Sequence, residues 1–385
     1  MQGLKLNTIE DKTIRIDVSE FMPHDTAVKE MFAVFSVIRL EAGFSEQCDA
    51  LNGVMAGFLD RMSHDGMMPV FGRVYMSDVA NQYAYLQPAL RKMLPCSVSY
   101  VQQAPLGGGK IALSLVLQTK CEITDDGWCW YYEHNGYIHF RTSHQSLLQA
   151  SSQRQIKNLL ERLDKNLNKY DCNVAGNCLH SWFYIRDIDV NYHGMKNGYK
   201  QYFGKTSKKV LTCRMAYTCT DGKCCDSRTK VMLDTYCVKG LDERQRHCLY
   251  FHDKPSKPWE VGLSPYTGLY VDYGDRRHVY INGAVGKEHR GCSMKDCNAA
   301  LQMKEVMTNV ETFLSDAGCT KTDIAYAVIY VRDASDYVSV SRVYQDMFGQ
   351  IPTIFVSSAA CKPGWLVGME CIAMRELSGN SWRDL

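Results

Sequence analysis

The sequence predicts an α/β (α+β) fold in which three mixed-sheet units, each with two helices on one face, form a pseudo-trimer within one chain. Three observations predict it. Tyr-x-x-Asp closes a strand candidate three times, in VYMSDVANQYAYL from Val74, FYIRDIDVNYHGM from Phe183 and IYVRDASDYVSVS from Ile329. An amphipathic segment precedes each string, and two further strand candidates follow it. Chance is not expected to repeat one order of elements three times.

Each round of the repeat opens on a strand candidate: MFAVFSVIRL, GYIHFRTS and HVYINGAVG. A helix follows. Its apolar stripe is Leu51, Val54, Met55, Phe58, Leu59 and Met62 in the first round, and Ile156, Leu159, Leu160, Leu163 and Leu167 in the second. In the third it is Met303, Val306, Met307, Val310, Phe313 and Leu314. Spacings of three and four lay each stripe on one neighbouring surface, as core rather than as a cofactor box. Ser152 and Gln155 have the spacing of a capping box for the second helix. Asp78, Asp187 and Asp333 then stand where the next helix begins, since aspartate accepts from free amide groups and favours the positive helix end.

The paired strands that close each round are SVSYVQQ with KIALSLVLQ, CRMAYTC with KVMLDTYCV, and PTIFVSS with GWLVGMECIAM. The turn residues between them (Pro105 to Gly109, Thr220-Asp221-Gly222, Lys362-Pro363-Gly364) predict hairpins. The resulting organisation is an N-terminal extension (1–26), unit one (27–120), unit two (121–240), a linker (241–263) and unit three (264–385). One sheet face per unit carries helices, and pairing the other faces around a threefold axis would bury them. A self-contained monomer is expected.

The formal charge of +2 in 385 residues leaves no electrostatic excess for a nucleic-acid or membrane-surface partner. MFAVFSVIRL is about half a membrane span. Seventeen cysteines in a chain of this length, an odd count, read as reduced thiols in a cytoplasm. Cys213, Cys219, Cys224 and Cys225 lack paired Cys-x-x-Cys knuckles, so no metal is expected, and no cofactor. Gly107-Gly108-Gly109-Lys110 lacks the earlier glycine and following Ser or Thr of a phosphate loop and reads as a turn. His247-Cys248 beside Arg244 and Arg246 reads as a basic loop.

The last third resembles the YjgF/Rid superfamily, whose small members form trimers with ligand clefts between subunits. HVYINGAVG, QMKEVMTNVETFLSDAGCTKTDI, AVIYVRD and CKPGWLVGMECIAM follow its order of strand, Gln-to-Asn helix, central strand and terminal hairpin. In the middle third, Trp182, Tyr184 and Ile185, then Tyr199, Phe203 and Lys205, are similar to the Trp-x-Tyr-Ile strand and Tyr-x-x-Phe helix of chorismatases, long Rid relatives that hydrolyse chorismate. The resemblance implies three Rid-like (chorismate mutase-like) units.

It also implies a site between units two and three that binds a small carboxylated metabolite. Chorismatases protonate an enol ether and release pyruvate, which needs a general acid and cationic groups for carboxylates. The family acid falls seven residues after Cys361, on Gly368, which cannot donate a proton. The enamine and imine hydrolases among small Rid proteins place their carboxylate at the same position. The family arginine is Lys362 here, which keeps the charge and loses the bidentate fork. Glu370 projects from the same strand face about 7 Å away.

The expected assignments are Glu370 as proton donor, Cys361 for shaping or nucleophilic assistance, and Lys362 for carboxylate anchoring. Tyr199, Lys205 and Arg332 are further binding residues. The expected activity is a chorismatase-like or enamine/imine hydrolase, and the alternative is a catalytically degenerate ligand-binding or interaction scaffold. RNA cleavage ranks last, because neither a basic stripe nor an acid–base histidine pair is visible.

Overall fold

The computed structural model describes residues 4–23, 28–205, 215–249, 268–284, 298–360 and 363–385. The first sheet's strands are β1 (Lys5–Glu10), β2 (Ile14–Phe21), β3 (Glu30–Val37), β4 (Met67–Met76), β5 (Ser97–Gln102), and, after the short β6 (Ala104–Pro105), β7 (Ile111–Thr119). Its helices are α1 (Phe44–His64) and α2 (Val79–Met93). The second sheet has β8 (Thr124–Asp125), β9 (Trp130–His134), β10 (Tyr137–Ser146), β11 (Cys178–Ile185), β12 (Ala216–Asp221) and β13 (Val231–Lys239). With it go α3 (Ser152–Leu167), the short α4 (Val174–Asn177) and α5 (Ile188–Lys205). The third has β14 (Arg246–Leu249), β15 (Gly268–Asp272), β16 (Arg276–Ala284), β17 (Ile324–Val331), β18 (Thr353–Ser357) and β19 (Val367–Glu376), with α6 (Ala299–Asp316) and α7 (Tyr337–Phe348).

The strand order is the same three times: β1-β2-β3-β7-β4-β5, β8-β9-β10-β13-β11-β12 and β14-β15-β16-β19-β17-β18, with β6 added to the last. The closing strands are not hairpins. β5 runs parallel to β4, as a strand–helix–strand crossover requires. β7 returns antiparallel between β3 and β4, and β13 and β19 take the same central place. Turn chemistry predicted partners for each closing strand that the helical crossover had already assigned elsewhere.

One irregularity also recurs. The register slips by one residue at Pro69/Phe71, Cys178/His180 and Ile324/Tyr326, each against the central strand. Such a bulge re-aims the residues that follow it. Beyond it, Val74 and Met76 face helices while Tyr75 faces inward. Phe183 and Ile185 alternate with Trp182 and Tyr184, and Ile329 and Val331 with Val328 and Tyr330. The inward residues of all three sheets share one core, on the pseudo-threefold axis.

The predicted helix stripes pack outside the sheets. All those named on α3 and α6 are buried, as are Leu51, Met55 and Phe58 of α1. Asp78 caps α2 through the Asn81 amide at 3.3 Å, and Asp333 accepts from Ser335 at 2.9 Å. Asp187 differs. Its backbone is left-handed (φ 49°), and Asp221 of β12 accepts from the first amide of α5 instead. The cap of α3 is Ser151, whose hydroxyl accepts from Arg154. This frees Gln155 to accept from Lys230 and Val231, at the entry of β13.

That clasp is threefold. Gln47 accepts from Lys110 before β7, and Gln302 from Leu366 before β19. Before each round the sheet is extended by strands that carry no Tyr-x-x-Asp signal, so β2, β9 and β15 are equivalent. β1 and β2 lie in the stretch expected as an extension and β14 in that expected as a linker. The cysteines described as thiols are free and buried except Cys225, whereas Cys248 departs from the expectation in being disulfide-bonded. No described helix is long and apolar enough to cross a membrane.

Candidate functional site

The three sheets meet where their equivalent strands place polar residues on the shared inner face. Register makes Arg73 of β4, Trp182 of β11 and Val328 of β17 equivalent, because each pairs with the matching residue of a central strand: Ser114, Asp234 and Glu370. One step further along, Tyr75, Tyr184 and Tyr330 pair with Ala112, Met232 and Gly368. The tyrosine of each Tyr-x-x-Asp string therefore reaches the axis, while its aspartate lies at the rim.

Glu370 is 3% exposed. Its Oε1 accepts from Arg73 Nη1 at 3.1 Å and its Oε2 from Trp182 Nε1 at 2.9 Å, so one residue from each sheet enters the junction. Both oxygens are thereby occupied. The Arg73 guanidinium lies 4.6 Å from the Trp182 ring centroid, and its Nη2 is 3.7 Å from Asp234 Oδ2. Asp234 also accepts from the His144 amide at 2.8 Å, but burial pushes its carboxyl above the usual range. Tyr75 and Tyr326 share a hydroxyl contact of 2.9 Å.

Gly368 sits beside this junction in a filled space. A Cβ there would lie 2.8 Å from the Ala360 Cβ, closer than packed carbons approach, and 3.8 Å from the Tyr330 ring. Ala360 is held by a bridge to Thr220, and Asp221 donates its amide to Ala359 at 2.8 Å. Gln103, from the first sheet's loop, donates to Thr220 Oγ1 at 3.0 Å and Ser358 Oγ at 3.1 Å. In this corner the Tyr330 hydroxyl has no hydrogen-bond partner, while the Tyr184 hydroxyl lies toward Asp234. Burial pushes both phenols well up, so they stay protonated.

The other predicted residues are scattered. Arg332 spans the second and third sheets, donating to Asp189 at 2.9 and 3.2 Å and through Nε to the Trp365 carbonyl at 3.1 Å. Tyr199 is 2% exposed. It packs between Phe183, Phe203 and Tyr217 in the helix-side core, because α5 approaches α3 closely at Gly198. Lys205 ends α5. Cys361 and Lys362 lie outside the described residues. Among the described residues no group of three His, Cys, Asp or Glu side chains could hold a metal ion.

Arg73, Asp234 and the three tyrosines were not anticipated. A signal existed for all of these but Asp234: an arginine inside the apolar run MMPVFGRVYM, and a tyrosine repeated as faithfully as the aspartate three residues on.

Residues 263–375 match the family model described as Endoribonuclease L-PSP. A 2-iminobutanoate/2-iminopropanoate deaminase of Bos taurus is 29% identical over 118 residues, which is 30% of this chain and 83% of that protein. A RutC family protein of Pyrococcus abyssi is 29% identical over 128 residues, 33% of this chain and 95% of its own. A chorismatase crystal structure superposes with a TM-score of 0.58 at 12% identity, covering 80% of this chain and 93% of that one. These make the last third of the chain similar to the YjgF/Rid proteins, and the thrice-repeated topology likens the whole chain to chorismatase. The likeness to chorismatase is one of fold.

Proposed function

We propose that the chain is a Rid-type hydrolase or deaminase acting on a small carboxylated substrate at the junction of the second and third sheets. The deaminase relatives support a 2-imino acid as that substrate. In the geometry, one observation carries the reading: the buried, unpartnered phenol of Tyr330 beside Gly368, with the buried Tyr184 phenol near it. Water adds to the imine carbon, the C–N bond then breaks, and ammonia and a 2-keto acid are released. Reactive imines need a positioned water and an anchored carboxylate more than a strong acid. In this reading the phenols orient the water or the carboxylate, and Lys362 supplies the anchoring charge. Glu370 holds the junction together and does not donate a proton, since both its oxygens are engaged.

A second reading is favoured by Gly368 and Ala360. The space for the family acid is filled, so the chain would be a ligand-binding or interaction scaffold. The two are separated by generating 2-iminopropanoate in situ and following its loss and the ammonia formed, with chorismate and pyruvate release in parallel. Faster imine loss with the protein than in buffer, abolished in Lys362→Ala and reduced in Tyr330→Phe, is expected. Imine loss at the buffer rate with no pyruvate from chorismate would leave the scaffold.

A further inference from the structure

A cavity of about 20 Å³ lies on the pseudo-threefold axis beneath the Arg73–Glu370 pair. It is room for about one water or one halide. Its walls come from all three sheets: Phe32, Phe71, Arg73 and Ser114 from the first, Arg141, His180 and Trp182 from the second, and Tyr326 and Glu370 from the third. Two are guanidiniums, Arg73 at 2% exposure and Arg141 at 9%.

The charges on these walls do not balance. Glu370 offsets Arg73. Asp234, 3.7 Å from Arg73, is not one of the walls, and burial raises its carboxyl above the usual range. Arg141 has no carboxylate within ion-pair distance among the described residues; it lies 3.5 Å over the Tyr236 ring and 5.6 Å from that of Phe71. Glu30, the next buried carboxylate along the axis, is occupied by Arg276 at 2.8 Å and His278 at 2.7 Å. His180 stays neutral, because burial first and the two arginines next lower its pKa.

Hydrogen bonding is incomplete in the same place. Arg73 Nε and Nη2, Arg141 Nε and His180 Nδ1 are buried without partners. A buried cation left unpaired is costly, and a water molecule would satisfy donors without offsetting charge. Unpartnered N–H donors of two guanidiniums around a small space suit a compact, weakly hydrated anion. We infer that this cavity is a binding site for one small monovalent anion of the chloride class, held between Arg73 and Arg141 and tying the three sheets together. The site is separate from the hydrolase reading and stands or falls without it.

Thermal unfolding of the full chain would be followed in sodium chloride, sodium bromide and sodium gluconate at equal ionic strength. The midpoint is expected to rise by a few degrees between about 1 and 100 mM chloride or bromide, as linked binding requires, and to ignore gluconate, which is too large to enter. Arg141→Gln should abolish the difference between anions. Crystals of the native chain grown in bromide give a readout that does not depend on the variant's folding: anomalous density is expected in the cavity. A midpoint indifferent to the choice of anion, or a cavity without bromide density, overturns the proposal.

Discussion

Glu370 shows how a side chain's surroundings decide its role. Position alone marked it as a replacement acid two residues from Gly368; the arginine and tryptophan that meet it come from other sheets, and no local pattern reveals them. Breaking a buried pair strands the partner charge, at a cost of about 3–5 kcal/mol. Glu370→Gln should therefore lower stability by that order in urea unfolding, and Arg73→Met with Glu370→Leu should recover part of it. Equal stability of native and Glu370→Gln proteins would show that the pair is not formed. His139 offers a second test. Burial, then Arg141, lowers its pKa to about 3 from an ordinary 6.5. The unfolded chain thus binds a proton here between those values that the folded chain refuses, so this contribution is complete above pH 6.5 and is lost as pH falls toward 3, on the order of several kcal/mol. Glu30, which burial would raise but His278 and Arg276 hold at about 2, extends the acid loss below its ordinary 4.5. A His139→Phe variant should flatten the upper part of the acid limb in denaturation measured from pH 7 to 3.

At the scale of elements, the sequence was most informative where periodicity was strongest. The α3 and α6 stripes are the outer cores, and the inward tyrosines follow from strand alternation once the bulge is placed. The helix α5 was less legible. Its contact with α3 runs through Gly194 and Gly198, whose missing side chains let the helices approach, and an apolar stripe is a poor guide to such packing. That close approach buries Tyr199, which family resemblance had made a binding residue. Pairing of the closing strands was hidden too, since register depends on partners remote in sequence. The glutamine clasp is the element-scale prediction. Gln155→Leu leaves the amides of Lys230 and Val231 without their acceptor at a buried site, at about 1–3 kcal/mol. Hydrogen exchange should quicken at the start of β13 ahead of the rest of that strand; uniform protection along β13 would assign the clasp no part in seating it.

At the scale of the molecule, three sheets that each expose an inner face solve one another's burial problem without a second copy. Parts of that arrangement were readable as a repeat, but the junction at its centre was not, because a threefold repeat says that faces meet and not which charges lie between them. Arg73 and Trp182 occupy a position that Val328 fills in the third round, and Glu370 one that Ser114 and Asp234 fill in the first two, so the axis is symmetric in backbone and asymmetric in chemistry. An assembly completed within one chain should sediment as one chain. Sedimentation velocity across a hundredfold range of protein concentration is the most direct check. A single boundary at the mass of one chain throughout is the predicted result, and a stable species at the mass of three chains would contradict it by placing the junction between subunits.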